Sequence, residues 1–147
     1  MERTCVIIKP DGIGKKVVGE IIKSFESEGL KLLGMKMVWP DRSTIENFYD
    51  VHRGKYFFEF FINFMTSGPI IVTAWEGENA VFGVRNIIGS TDSMEAAPGT
   101  LRRMFGTDGR KNLVHASDSV ENGIKEIKFF FKNGEIIDYS PEEWKKG

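Results

Sequence analysis

The sequence predicts an α+β sandwich, a small sheet with helices packed on one of its faces. Three observations predict it. Short apolar runs rich in β-branched residues recur along the 147 residues, and stretches of helical period separate them. Their order is β, α, β, two short helices, β, α, a long loop, α, β, which contains two β-α-β halves. No linker, internal repeat or low-complexity segment interrupts that order, so one domain over 1–147 is expected.

Thr4 to Ile8 is an apolar, β-branched run ended by Pro10-Asp11-Gly12, a buried strand followed by a turn. From Val17 to Glu28 the apolar residues 17, 18, 21, 22 and 25 fall on one helical face, and Gly29 supplies a C-terminal stop. Lys31 to Trp39 alternates weakly, with Leu33, Met35 and Met37 on one side and Lys36 on the other, a second strand closed by Pro40. Ser43 followed by Glu46 has the pattern of a capping box and should open a short helix. Phe57 to Met65 is dense in phenylalanine, and Glu59 and Asn63, four apart, mark its exposed stripe. After Ser67-Gly68-Pro69 comes the strongest strand signal, Ile70 to Trp75, then a helix from Asn79 to Ile88 stopped by Gly89. Gly89 to Leu113 keeps no clear period, and a loop that long in a compact domain is usually functional or disordered. Ser119 to Glu126 reads as helix, Ile127 to Phe131 as a last strand, and the polar tail carries Trp144 as a candidate anchor.

The chain is 41% hydrophobic and 28% charged with a net charge of −1, which gives no bulk electrostatic reason to expect nucleic acid or membrane binding. The single cysteine, Cys5, excludes an internal disulfide and a thiolate-rich zinc site, and its apolar run marks it as a buried small side chain. The N-terminal residues hold no apolar stretch long enough for a signal peptide or a membrane span, so a cytoplasmic protein is expected.

Two histidines occur. His52, between Asp50 and Arg53, reads as a surface residue. His115 lies in Asn112-Leu113-Val114-His115-Ala116-Ser117-Asp118-Ser119, between a loop rich in phosphate-binding residue types and a helix start. A Ser-His-Asp hydrolase is a weak reading, because Ser117 and Asp118 are too near in sequence to reach both imidazole nitrogens. Metal binding is weaker still, since neither histidine belongs to a ligand spacing. Lys9 follows a strand and precedes a turn, where an ammonium can be held rigidly at the sheet edge. Arg85, Thr91 and Arg102 could converge on it, and a phosphate chain needs several such forks and hydroxyls. Each of these cations taken singly reads first as a solvated surface charge, and sequence chemistry alone does not show that they converge. There is no Walker-type glycine loop and no protein-kinase signature, so nucleotide handling would need another design.

The combination of Val6-Ile7-Ile8-Lys9-Pro10-Asp11-Gly12, Ser67-Gly68-Pro69 and the His115 motif closely resembles the nucleoside diphosphate kinase family, from Arg3 to Tyr139. The resemblance implies a ferredoxin-like α/β sandwich, a four-stranded antiparallel sheet with helices packed on it. It implies ping-pong transfer from a nucleoside triphosphate, typically ATP, to nucleoside diphosphates, with magnesium bridging the phosphates. His115 matches the nucleophile and Glu126 the carboxylate that holds its ring. Lys9, Tyr49, Arg85, Thr91, Arg102 and Asn112 match positions around the phosphates or ribose, and Phe57 matches the ring on which the base stacks. Stacking without a hydrogen bond to the base edge implies broad base specificity.

This chain departs from the family pattern at Lys55-Tyr56, where Arg-Pro is usual, at Ser93, where many relatives carry proline, and at Arg103-Met104, in place of Gly-Asp. A phosphohistidine scaffold with poor turnover and a nucleic-acid-binding regulator are the competing readings; the full residue set argues against the first and the charge against the second. Family members assemble as hexamers or tetramers, and the tail through Ser140-Pro141-Glu142-Glu143-Trp144 resembles the longer chains that form hexamers.

Overall fold

A computed structural model describes all 147 residues. Four strands form one antiparallel sheet in the order β2-β3-β1-β4: β1 (Glu2–Ile8), β2 (Lys31–Val38), β3 (Ile70–Gly77) and β4 (Val114–Ala116). Seven α-helices surround it: α1 (Pro10–Gly14), α2 (Val18–Ser27), α3 (Arg42–Phe48), α4 (Phe58–Met65), α5 (Ala80–Ile88), α6 (Leu101–Phe105) and α7 (Val120–Phe130). No helix is long and apolar enough to cross a membrane.

Helices cover both faces of the sheet, where the sequence reading placed them on one. The cause is visible in β1, whose residues from Thr4 to Ile8 are all buried. Strand side chains alternate in direction, so a continuous apolar run needs cover on two sides. Cys5 and Ile7 join a core with Ile45 of α3, Ile62 of α4 and Ile127 of α7. Val6 and Ile8 point the other way, into a core with Ile21 and Phe25 of α2, Val84 of α5 and Leu101 of α6. Trp75 fills the second core, edge-on to Phe25 with ring centroids 5.2 Å apart.

Several expected elements are moved or replaced. Ile127 to Phe130 belongs to α7, and the fourth strand is Val114–Ala116. A short apolar run fits strand and helix alike, and here a helix capped by Ser119 is already under way, burying Gly123, Ile127 and Phe130 at helical spacing. Leu33 is buried while Met35 and Met37 are 52% and 58% exposed. The register with β3 shifts between Leu32 and Gly34, and this bulge reverses the facing of every later residue of β2. α3 is capped by Asp41, which accepts from Thr44 N–H at 2.8 Å; Ser43 lies inside the helix and Glu46 pairs with Arg42 instead. Pro10-Asp11-Gly12 opens a one-turn helix in place of a plain turn, and the long loop contains α6, capped by Thr100. Trp144 is 76% exposed and anchors nothing; Tyr139 ties down the tail, donating to Leu32 O at 2.5 Å.

Gly123 sets how closely α7 approaches β1. A Cβ there would stand 2.6 Å from Arg3 O, a backbone atom with little room to give. Gly123→Ala is therefore expected to push α7 off the sheet and destabilise the protein by about 1–3 kcal/mol, read by denaturant unfolding. Glu126 lies one turn further along the same helix, so the same substitution should disturb the histidine it contacts. Unchanged stability and activity would show that the close approach is dispensable.

Candidate active site

His115 is the middle residue of β4, opposite Ile7 of β1, and its side chain is 20% exposed. Its Nε2 lies 3.0 Å from Glu126 Oε1. Ser117 Oγ donates to the same oxygen at 2.6 Å, and accepts from Cys5 N–H at 3.1 Å. Ser117 is thus not a hydrolase nucleophile beside the ring. It is fully buried and ties Glu126 to the backbone of β1. An ionised carboxylate only accepts, so Nε2 carries the proton and Nδ1 the free lone pair. The rings of Phe48 and Tyr49 stand edge-on to the imidazole at 5.4 and 5.6 Å and limit its rotation.

A second cluster gathers around Asn112. Lys9 Nζ donates to Asn112 Oδ1 at 2.8 Å, and Asn112 Nδ2 donates to Thr91 O at 2.8 Å. Arg102 Nε donates to Asn112 O at 3.1 Å, while its Nη1 and Nη2 reach Gly89 O and Val114 O. Three of the five guanidinium N–H groups therefore hold the loop to β4, and two remain for a ligand. Arg85 Nη1 donates to Ala116 O at 3.2 Å, on the strand that carries His115. Burial, and then the charge of Arg102, pull the Lys9 ammonium down to about 7, against a smaller opposing pull from Asp11. Burial and then Arg85 lower Arg102 to about 10. None of Lys9, Arg85 and Arg102 forms a salt bridge within the chain, and three cations gathered in this way favour an anion between them.

The backbone at this point is strained. Leu113, directly after Asn112, has φ +82°, a left-handed value that costs a side-chain-bearing residue about 1 kcal/mol or more. Asp11 Oδ2 accepts from its N–H at 3.0 Å, and its carbonyl accepts from Lys9 N–H at 2.9 Å. Gly12 is required beside it, since a Cβ there would meet Ile8 Cγ2 at 2.8 Å and Leu113 O at 3.2 Å.

Tyr49 is buried with its hydroxyl lacking any partner, and burial together with the charge of Glu126 pushes the phenol well above its usual range, so it stays an O–H donor. Phe57 stands apart from both clusters, on the rim between α3 and α4, and reaches them through His52, whose ring lies 5.6 Å from Phe57 and 6.2 Å from Tyr49. His52 was expected at the surface. It is half-buried along the cleft, and burial and the neighbouring Lys55, then His115, lower its pKa. Sequence reasoning missed Ser117, Phe48 and His52; the first lay in the quoted histidine motif, while the others carried no local signal.

The departures from the family pattern find physical places. Lys55 Nζ approaches His52 Nδ1 at 3.0 Å. Ser93 is buried against Gly106, where a Cβ would overlap its hydroxyl. Arg103 Nη1 donates to Met94 O and Ala96 O at 3.2 and 3.1 Å and so fastens the long loop.

Comparison with known proteins gives this geometry its family. The profile described as nucleoside diphosphate kinase matches residues 2–136. The nucleoside diphosphate kinase of Archaeoglobus fulgidus is 46% identical over 146 residues, 98% of this chain and 97% of that one. That of Staphylothermus marinus is 51% identical over 138 residues, 94% and 98% of the two chains. Among solved structures, the Halobacterium salinarum nucleoside diphosphate kinase in complex with CDP superposes with a TM-score of 0.93 at 37% identity, covering 99% of this chain and 97% of that one. The Aquifex aeolicus enzyme gives 0.90 at 45% identity over 92% and 99%. With a match over nearly the whole length in sequence and in fold, the chain belongs to the nucleoside diphosphate kinase family, enzymes that move phosphoryl groups between nucleotides.

Proposed function

We propose that this kinase works by a ping-pong route through a phosphohistidine at His115 Nδ1. The observation that carries the reading is the pair of contacts on Glu126 Oε1, from His115 Nε2 at 3.0 Å and Ser117 Oγ at 2.6 Å. They leave one imidazole nitrogen committed and the other nucleophilic. In the first half-reaction the Nδ1 lone pair attacks the γ-phosphorus of a nucleoside triphosphate, typically ATP. The bond to the bridging oxygen breaks, and the diphosphate leaves with that electron pair. Glu126 balances the positive charge that develops on the ring while the Nε2 proton stays in place. In the second half a terminal oxygen of another diphosphate attacks the phosphorus, and the N–P electron pair returns to Nδ1.

Such transfer is loose in its transition state, so placement and charge supply most of the catalysis. Lys9, Arg85 and the two spare N–H groups of Arg102 take the phosphate oxygens. Thr91 and Tyr49 add hydroxyl donors, and Asn112 keeps Lys9 and Arg102 in position. Phe57 offers its face to the base, which tolerates every base. Magnesium would arrive on the nucleotide phosphates, which Lys9, Arg85 and Arg102 would hold in the cleft. When bound it would neutralise negative charge on the phosphates.

Residues 1–147 act as one such domain, in the cytoplasm, as a homo-oligomer with no membrane or specific nucleic-acid partner. Met35, Met37 and Trp39, exposed on or just after the edge strand β2, are apolar surface that another copy would cover. Hexamer is favoured over tetramer by the tail, and sedimentation of the purified protein separates the two.

Intact mass spectrometry tests the mechanism. Protein mixed with ATP and magnesium should gain the mass of one phosphate, and GDP should discharge it with GTP appearing. Uptake without discharge would favour a phosphohistidine scaffold, and no uptake by folded protein would end the ping-pong reading.

A further inference from the structure

The chain has seven arginines, and six have a polar partner. Arg3 pairs with Glu76, Arg42 with Glu59 and Asn63, and Arg53 with Asp50; Arg85, Arg102 and Arg103 donate to backbone carbonyls. Arg110 is the exception. Its backbone N–H donates to Asp108 Oδ1 at 2.9 Å, and its guanidinium donates to nothing in the chain. The fork is nonetheless held in place. It lies over two exposed rings, 5.6 Å from the centroid of Tyr56 and 5.1 Å from that of Phe60.

Those rings fix where the fork stands. Tyr56 adjoins Phe57 with ring centroids 5.5 Å apart, and Phe60 follows Phe57 by three residues, one helical turn. The free fork therefore spans from the long loop to the rim where the proposed base platform lies, while Lys9 and Arg102 sit deep in the cleft. A guanidinium seated over aromatic rings keeps its N–H groups free for a planar acceptor pair. Of the nucleobases, guanine presents such a pair, O6 and N7; adenine puts an amino group where O6 would be.

We propose that Arg110 reads the base edge, donating to O6 and N7 of guanine and so biasing an otherwise tolerant site towards 6-oxopurine diphosphates. This rests on the kinase reading and on Phe57 as the base platform. Stacking on Phe57 admits every base, and Arg110 ranks them. Tyr56, one of the departures from the family pattern, then acts as a positioning residue for Arg110.

Single-turnover discharge of the phosphorylated protein by GDP, IDP, ADP and CDP tests it. IDP shares O6 and N7 with GDP and lacks the 2-amino group, so it isolates the contact. Wild type should be discharged by GDP and IDP about tenfold more efficiently than by ADP, the lower end of a bidentate arginine–guanine contact at an exposed rim. In Arg110→Ala that ratio should fall to about twofold or less, with CDP discharge least altered. Arg110→Lys, which keeps a cationic donor able to reach O6 and N7 but loses the planar fork, should retain part of the ratio that Arg110→Ala loses. Tyr56→Ala should reduce it part of the way. An equal loss for all four diphosphates in Arg110→Ala, or IDP grouping with ADP, would overturn the proposal. A wild-type phosphoprotein that no diphosphate discharges would overturn the kinase reading and this one together, a result distinct from either.

Discussion

His115→Ala is expected to take up no phosphate from ATP and to lose at least about 10⁴-fold in turnover, because on the proposed covalent route the nucleophile has no substitute. Its fold should survive. The side chain is partly exposed on a three-residue strand whose register is held by Val114 and Ala116 on either side. The loss should therefore appear in kcat with nucleotide affinity nearly intact, since the cluster around Asn112, proposed to hold the phosphates, does not use the imidazole.

Glu126→Gln separates the two roles proposed for Glu126, orienting the ring and offsetting its charge. Glutamine still offers a carbonyl oxygen to His115 Nε2 and Ser117 Oγ, so the ring orientation should persist. The negative charge that offsets the developing imidazolium is gone. Phosphate uptake should reach the same stoichiometry about 10²-fold more slowly, the scale of one removed electrostatic partner. Equal rates in the two proteins would show that Glu126 only orients the ring. Retained uptake in His115→Ala would move the nucleophile elsewhere, and with it the whole mechanism.

How far the sequence disclosed this site depended on the range of the interaction. Lys9, Asn112 and His115 were legible as chemistry-bearing types beside strand ends and in a long loop. Their convergence was not, because it is made by pairings over about a hundred residues, such as Lys9 with Asn112 and Cys5 with Ser117. The β4 strand escaped notice because three residues are too few to display a period, and the strain at Leu113 because leucine gives no hint of a left-handed backbone. The helices with a regular apolar face, α2 and α5, were read closely, since one-sided burial at helical spacing is a local property. The bulge at Leu33 shows the opposite case: one inserted residue, invisible in composition, decided which methionines face solvent.

Lys9→Met should lower kcat/KM by about 10²–10³-fold, the scale of one lost donor to a developing oxyanion, and it carries a second, pH-dependent signature. The free protein holds Lys9 at about 7, chiefly through burial, against 10.5 for an ordinary lysine. Above pH 7 much of it is therefore neutral. Nucleotide phosphates beside it favour the ammonium, so binding should draw in a proton: close to none at pH 6, rising towards one at pH 8.5, where the nucleotide itself no longer titrates. Calorimetry in buffers of different ionisation enthalpy measures that uptake, and Lys9→Met should abolish it. The same shift bears on folding. Between pH 7 and about 10.5 the unfolded chain binds more protons at Lys9 than the native one. Its burial penalty, fully present below pH 7, is relieved as pH rises, adding up to ~1.4 kcal/mol of stability per pH unit within that window. In Lys9→Met this part of the slope should vanish. A buried cation that destabilises the empty protein and is neutralised by its ligand fits a site arranged for the bound state, and buffer-independent binding heats at pH 8.5 would rule that arrangement out.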